Sequence, residues 1–553
     1  MTRKLICMAI ALVMLLGLLA GCNSGGAPAA TTAAPATTAA AATTAAAATT
    51  AAAATTAAPA AVGGEWDTGS IKFDPLGIDL GGKDLTYQCN IGLNDARNAV
   101  WEEMGEYVAT VYNGGTVKLV LTDSSEYNSK IQTLLASGMG PDVFATSRGN
   151  KFMEFASNDA LLALNPYLDN ILAGAYTKVP EELFQAVTYG GNVYAMIPFK
   201  DLVENNSILY DASQLEAAGQ QMVDWVYMRD CDELFYAMRE WVDANYENRK
   251  DIPISSSYTT FPRADVLEVI GSNDYMINSN FPGYESVKGQ TEGKLFCGWF
   301  TDEFVAFIKR INQLTEDRIY PYDPANYDPD NVNRRSGDMI FWNSQGYLFA
   351  PDNYTDYECT LKKQAVSLGY TNYAQGALQA INGDTDNPDQ AAMLMEILSC
   401  DKYLGTCLRF GKENTHWRMS DDGIRLDTNA GDVTDSGIKY WYGVQIGDIT
   451  NCVLPTDVEP TFHDALAEMN NNAVFSNYLG FSPNTEPVTN ECTAVSAIYS
   501  EYYSNTNLVS GMLGDKTDAT IKEYRDKLTA AKIDKILEEF QSQLDDWRAA
   551  NGK

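Results

Sequence analysis

The sequence predicts an α/β protein built on a mostly parallel sheet with helices on both faces. Three observations carry this expectation. Strand and helix patterns alternate between residues 85 and 145, amphipathic helices fill the middle of the chain, and a long apolar stripe runs near the C-terminus. Residues 85–91 read as a strand, after which Gly92-Leu93-Asn94-Asp95 form a loop. Val100, Met104, Val108 and Val111 mark one face of a helix that Gly114-Gly115 ends. Residues 117–121 form a β-branched apolar strand, 127–137 a helix closed by Gly138, and 141–145 a short buried strand. In open α/β sheets, ligands sit at the carboxyl ends of the strands. Here those ends are the loops 94–97, 123–126 and 146–148. Further along, 232–245, 302–314 and 389–404 show apolar positions at helical spacing. Ile521, Tyr524, Leu528, Ile536, Leu537, Phe540, Leu544 and Trp547 predict one C-terminal helix docked on its own domain.

Composition narrows the function. The 553 residues carry 39 Lys and Arg against 73 Asp and Glu, a net charge of −34. Sequence-independent nucleic-acid binding, which depends on basic residues neutralising phosphate, is excluded. A hydrophobic content of 45% is enough for sizeable cores, and the length calls for at least two domains. With only His416 and His463, there is little room for histidine-based metal or triad chemistry. No G-x-S-x-G, H-E-x-x-H, P-loop or Rossmann glycine motif occurs. The acidic stretch 328–331 fails the EF-hand spacing at Val332. No cofactor and no metal site are expected.

The N-terminus reads as an address. Arg3 and Lys4 precede the apolar run 5–19, which is too short to span a bilayer and ends at Leu19-Ala20-Gly21-Cys22. Small residues before a cysteine resemble a bacterial lipobox, so residues 1–21 are expected to be a lipoprotein signal and Cys22 the lipidated residue. Residues 27–61 contain only Ala, Thr and Pro, with Thr pairs every six residues, which marks 22–64 as a disordered tether. The eight remaining cysteines, outside Cys7 and Cys22, show no C-x-x-C spacing and read as small buried residues.

Several stretches then resemble the extracellular solute-binding proteins of ABC importers. Residues 137–144 with 158–168 are similar to the family's S-G-x-x-P-D-V and L-x-P-Y-L signature, and 189–198 to its G-K-x-Y-A-x-P segment. Ala380-Ile381 with 387–392 resemble its S-x-N-P-E-x-A strand and turn. Leu479 to Val488, followed by 527–536 and 541–547, look like the C-terminal region of the lipoprotein-O-like branch, whose turn 411–417 also resembles. The resemblance covers about 83–553 and implies a type II periplasmic-binding-protein fold, two lobes with a central ligand cleft and hinge crossovers. It places lobe 1 at 83–200, lobe 2 at 201–375, a return to lobe 1 at 376–440, and lobe 2 again at 441–553.

Within that frame the resemblance points nine residues at the cleft: Asn94, Asp95, Arg97, Arg148, Glu204, Tyr258, Trp342, Asn343 and Trp417. Trp342 and Asn343 are expected to end the strand 339–341. Aromatic rings cover the apolar faces of sugars, while Asp, Asn and Arg answer their hydroxyls. The implied protein is a monomeric, lipid-anchored capture protein that hands an oligosaccharide to a membrane permease. Arg97 or Arg148 would equally meet a carboxylate of an acidic sugar or peptide. Peptide binding and solute sensing without transport stay open beside it. A glycoside hydrolase or an adhesion lipoprotein has less support, because a pair of carboxylates is unavoidable among 73 acids.

Overall fold

The computed structural model describes residues 62–91, 94–256, 261, 266–321, 339–345, 360–434, 446–456, 458, 460–504 and 508–553. Two hydrophobic cores divide them. In the first, Leu85–Cys89 pairs in parallel with Val117–Leu121 and Val143–Thr146. Leu378–Ile381 then joins Val143–Thr146 antiparallel. Every residue of Val143–Thr146 and of Leu378–Ile381 is buried, so both faces of this sheet are covered. Asp95–Val111 and Pro388–Cys400 pack on it, and Tyr127 of Ser124–Ala136 donates its hydroxyl to the carbonyls of Gln88 and Ala145.

The second lobe is built differently. Asn206–Tyr210 lies between Phe341–Gln345 and Thr360–Lys363, antiparallel to both. Leu267–Ile270, Ile277–Asn280 and Phe296–Cys297 form a second antiparallel sheet. The expected parallel sheet therefore holds for lobe 1, while the described sheets of lobe 2 are antiparallel. Trp342 and Asn343 lie inside the strand Phe341–Gln345 rather than at its end, because Asn206–Tyr210 pairs along its whole length.

Three sequence expectations are corrected here. The helix expected over 389–404 breaks at Asp401 into Pro388–Cys400 and Lys402–Phe410. Asp401 is 1% exposed, and its carboxylate caps the second helix through the Leu404 N–H at 2.9 Å. It also accepts the hydroxyls of Tyr107 and Tyr112 at 2.7 and 2.5 Å. Those three donors favour a capping conformation over a continuous helix. The C-terminal stripe likewise belongs to two helices, Thr517–Ala530 and Ile533–Asn551, separated at Lys532 with φ of 62°. Finally, Ile446, Ile449, Val453, Phe462, Leu466 and Met469 pack in the first core, and the second resumes at Tyr478. The last passage into lobe 2 thus falls near 475, not 441, because the helix Phe462–Asn471 buries its apolar face against lobe 1.

The seven described cysteines are free. Among the described residues no helix is long and apolar enough to cross a membrane. Cys22, the tether up to residue 61 and Cys359 lie outside the described residues, while Gly63 and Gly64, expected within the tether, donate to Val111 O and Thr110 O at 3.1 and 2.8 Å.

Replacing Asp401 by Ala leaves three buried donors without their acceptor. Each orphaned donor costs about 1–3 kcal/mol, so the variant is expected to lose roughly 3 kcal/mol or more in urea denaturation.

Candidate functional site

Three chain passages connect the lobes, and their backbones pair side by side. Glu204 and Leu368 exchange both N–H···O bonds at 2.8 Å. Leu368-Gly369 pairs in parallel with Val474-Phe475, through Val474 N–H to Ser367 O and Ser476 N–H to Gly369 O, each 2.8 Å. A small cluster of Val266, Phe281, Val366, Leu368 and Tyr370 packs around this junction, with Val474 and Tyr373 against it. The result is a three-stranded hinge with its own apolar support.

Polar side chains fix its register. Asn205 donates to the carbonyls of Gln364 and Val366 and to the Ser367 hydroxyl, at 3.1, 3.0 and 2.9 Å. The Gln364 amide oxygen accepts both the main-chain and side-chain N–H of Asn206. Asn470, fully buried, accepts the Leu202 N–H at 2.9 Å and donates to Lys200 O at 2.7 Å. Tyr370 donates its hydroxyl to Glu204, and Tyr373 donates to Asp201 at 2.9 Å. Lys200 pairs with Asp201 at 2.9 Å.

The lobes also meet beside the hinge. Arg148, just past Val143–Thr146, donates its main-chain N–H to Gln375 O at 2.9 Å and its guanidinium to Gly271 O in lobe 2. Asn372 donates to Val269 O and Gly271 O at 2.7 and 2.9 Å. Loss of hydration lowers the Arg148 pKa, opposed by nearby Tyr370 and Asp274. Gly480 has φ of +97°, and a Cβ there would lie 2.7 Å from Gln185 O of lobe 1, so a side chain is excluded at this approach.

Two lobes with separate cores, joined by paired crossovers and meeting at Arg148, define a hinged clamp. Residues 92–248 match the family model described as bacterial extracellular solute-binding protein, and 477–549 match a domain of unknown function, DUF3502. The chain is similar to the N-glycan transport solute-binding protein of Streptococcus pneumoniae, at 15% identity over 84% of this chain and 98% of that one, with a TM-score of 0.67. This is the fold of a solute-binding protein. It is similar also to an extracellular solute-binding protein of Bifidobacterium longum subsp. infantis, at 15% identity, 84% and 98% coverage and a TM-score of 0.54. The S. pneumoniae substrate-binding protein FusA, solved with kestose, aligns at 12% identity over 84% of this chain and all of that one, with a TM-score of 0.50. No curated protein sequence matches the chain.

In this solute-binding fold the nine sequence-selected residues separate. Arg148 and Glu204 fall in one inter-lobe region, linked by Tyr370, which bonds Glu204 and acts on the Arg148 charge. Asn94 is spent as a helix cap, accepting the Arg97 N–H at 2.7 Å; Asp95 is exposed in the first turn and Arg97 is buried. Trp417 is a correction. It is buried in the lobe 1 core, and its indole N–H donates to Gly411 O at 3.0 Å, so it has no face to offer a ligand. Trp342 is buried with Leu209 and Met339 on one face of its sheet. Tyr258 and the Asn343 side chain lie outside the described residues.

A cavity of about 1090 Å³ lies wholly on lobe 2, lined by residues such as Phe300, Phe307 and Leu537. It is not the inter-lobe cleft. Two of its cations are already engaged, Arg310 with Asp232 and Arg229 over the Tyr227 ring. The described residues hold no cluster of three or more His, Cys, Asp or Glu arranged for a metal.

Sequence reasoning selected Glu204 for its place near a crossover and did not select Asn205, Gln364 or Asn470. The polar run Glu204-Asn205-Asn206 opening an otherwise apolar strand was the available sign. Asn205→Leu removes the side-chain tie between the first two crossovers, a loss of about 2 kcal/mol. Calorimetry is expected to show one unfolding transition for the parent and two for the variant, one per lobe.

Proposed function

We propose that this protein captures an oligosaccharide between its two lobes and hands it unaltered to an ABC permease. The paired three-strand hinge between separately cored lobes carries the reading. A ligand that touches both lobes stabilises only the arrangement in which they meet, so binding is converted into closure that a membrane partner can sense. Support for a carbohydrate comes from proteins of the same fold, one named for N-glycan transport and another solved with kestose. Arg148 and Asp95 supply hydrogen bonds from lobe 1. Arg148 is the pivotal group, because ligand hydroxyls or a uronate would take over the donor now spent on Gly271 O. Cys22 carries the lipid, and the Ala/Thr/Pro tether lets the monomer reorient above the membrane. Catalysis plays no part.

A thermal-shift screen of the Cys22→Ala protein with neutral oligosaccharides, uronate-bearing oligosaccharides and short peptides tests this. Ligand at 100 times its Kd is expected to stabilise by about 2.7 kcal/mol. Recovery of intact sugar supports capture; cleaved sugar makes the protein an enzyme, and a response to peptides alone overturns the carbohydrate reading. Arg148→Ala is expected to weaken the sugar hit about tenfold, or about 1.4 kcal/mol, in calorimetric titration.

A further inference from the structure

Beside the hinge stands a carboxyl group that no cation among the described residues answers. Glu268 sits in the lobe 2 strand Leu267–Ile270 and is 2% exposed. Its Oε2 accepts two hydroxyls, Ser279 Oγ at 3.1 Å from the neighbouring strand and Ser476 Oγ at 2.6 Å from the third crossover. Ser476 is tied to the hinge itself, since its N–H donates to Gly369 O at 2.8 Å and its Oγ accepts the Tyr478 N–H at 2.9 Å. Glu268 is thus the side-chain link between the lobe 2 sheet and the strand on which the lobes turn.

The described surroundings are otherwise neutral. Asn278, on the paired strand, donates to the Glu268 carbonyl at 3.0 Å. From the helix Thr371–Ala374, Asn372 bonds the next residue's carbonyl, that of Val269. The one ionisable neighbour that registers is the Tyr478 phenol, which accepts the Gly293 N–H at 2.6 Å and feels Arg548 and Glu292. No described hydrogen bond or ion pair joins Glu268 to Lys, Arg or His.

We propose that Glu268 is a proton-operated hinge group: ionised, it grips Ser476 and holds the lobes as seen here; protonated, it frees the third crossover and lets them swing. A hydrogen bond to a carboxylate is about twice as strong as one between neutral groups, so losing the charge weakens the grip. If the swing breaks the Ser476 bond, a buried carboxylate is left with one donor, which favours taking up a proton. The two events are therefore linked. Burial raises the pKa of Glu268 to about 7, against the two hydroxyl bonds that lower it. The folded protein consequently holds a proton here between about pH 4.5 and 7 that the unfolded chain has lost. This group's contribution to stability is full below that window and fades as pH rises through 7. The inference rests on the capture reading only in giving the swing a purpose.

Small-angle scattering and hydrogen exchange of the ligand-free protein from pH 5.5 to 8.5 test it, with Glu268→Gln and Ser476→Ala beside the parent. The parent is expected to change shape once, with a midpoint near 7. Exchange at 366–369 and 474–476, corrected for its intrinsic pH dependence, is expected to rise roughly tenfold on the acid side. Glu268→Gln should show the acid form at every pH, and Ser476→Ala should show it at pH 8. A parent whose scattering and exchange are invariant, or a Glu268→Gln variant that titrates like the parent, overturns the proposal. Absence of sugar binding with the titration intact would remove the capture reading alone.

Discussion

Leu368 pairs with Glu204 on one side and with Val474 on the other, and the two lobes depend on that pairing. Without it, two bodies with separate cores would be strung on three flexible strands. With it, the crossovers share one small sheet, and rotation about that sheet moves all three together. Two-residue strands cannot provide this alone, since isolated short pairings are marginal in water. The apolar group of Val266, Phe281, Val366, Leu368 and Tyr370 supplies the burial that makes the junction persist.

The junction is unusually polar for a buried place. Asn205, Gln364 and Asn470 are all buried, and each makes at least two hydrogen bonds across chain passages. Apolar packing tolerates sliding; amides with directional partners do not, so they select one register among those that short strands allow. Arg148 belongs to the same logic from the other side. Its fork reaches a lobe 2 carbonyl, a contact made only when the lobes stand near each other.

Lobe 1 was legible in the sequence because its strands are mostly apolar and alternate with helices, as parallel pairing with covered faces favours. Lobe 2 was not, because its antiparallel strands are short and, in the sheet of Asn206–Tyr210, the partner Phe341–Gln345 lies far along the chain. Periodicity also could not see Asp401. Its helix break is set by two tyrosine hydroxyls almost 300 residues away. At the candidate site, position after a strand selected Arg148, which the structure places in the inter-lobe region. The same reasoning chose Asn94, whose side chain is spent on capping, and the aromatic Trp417 proved to be core. Residue type and loop position cannot tell a ligand contact from a cap or a packed ring, since both uses favour the same side chains.

The three-part construction of lobe 1 bears on how the protein reaches its shape. Leu378–Ile381, the strand beside Val143–Thr146, and the helix Phe462–Asn471 come from segments made long after the first strands. A chain emerging N-terminus first therefore cannot finish its first lobe until most of its second has appeared. Loop closures of that length are slow, and Val143–Thr146 presents an open edge until they occur. In the proposed exported protein such delay is an advantage: the sheet that would lock the chain compact waits for residues that arrive last.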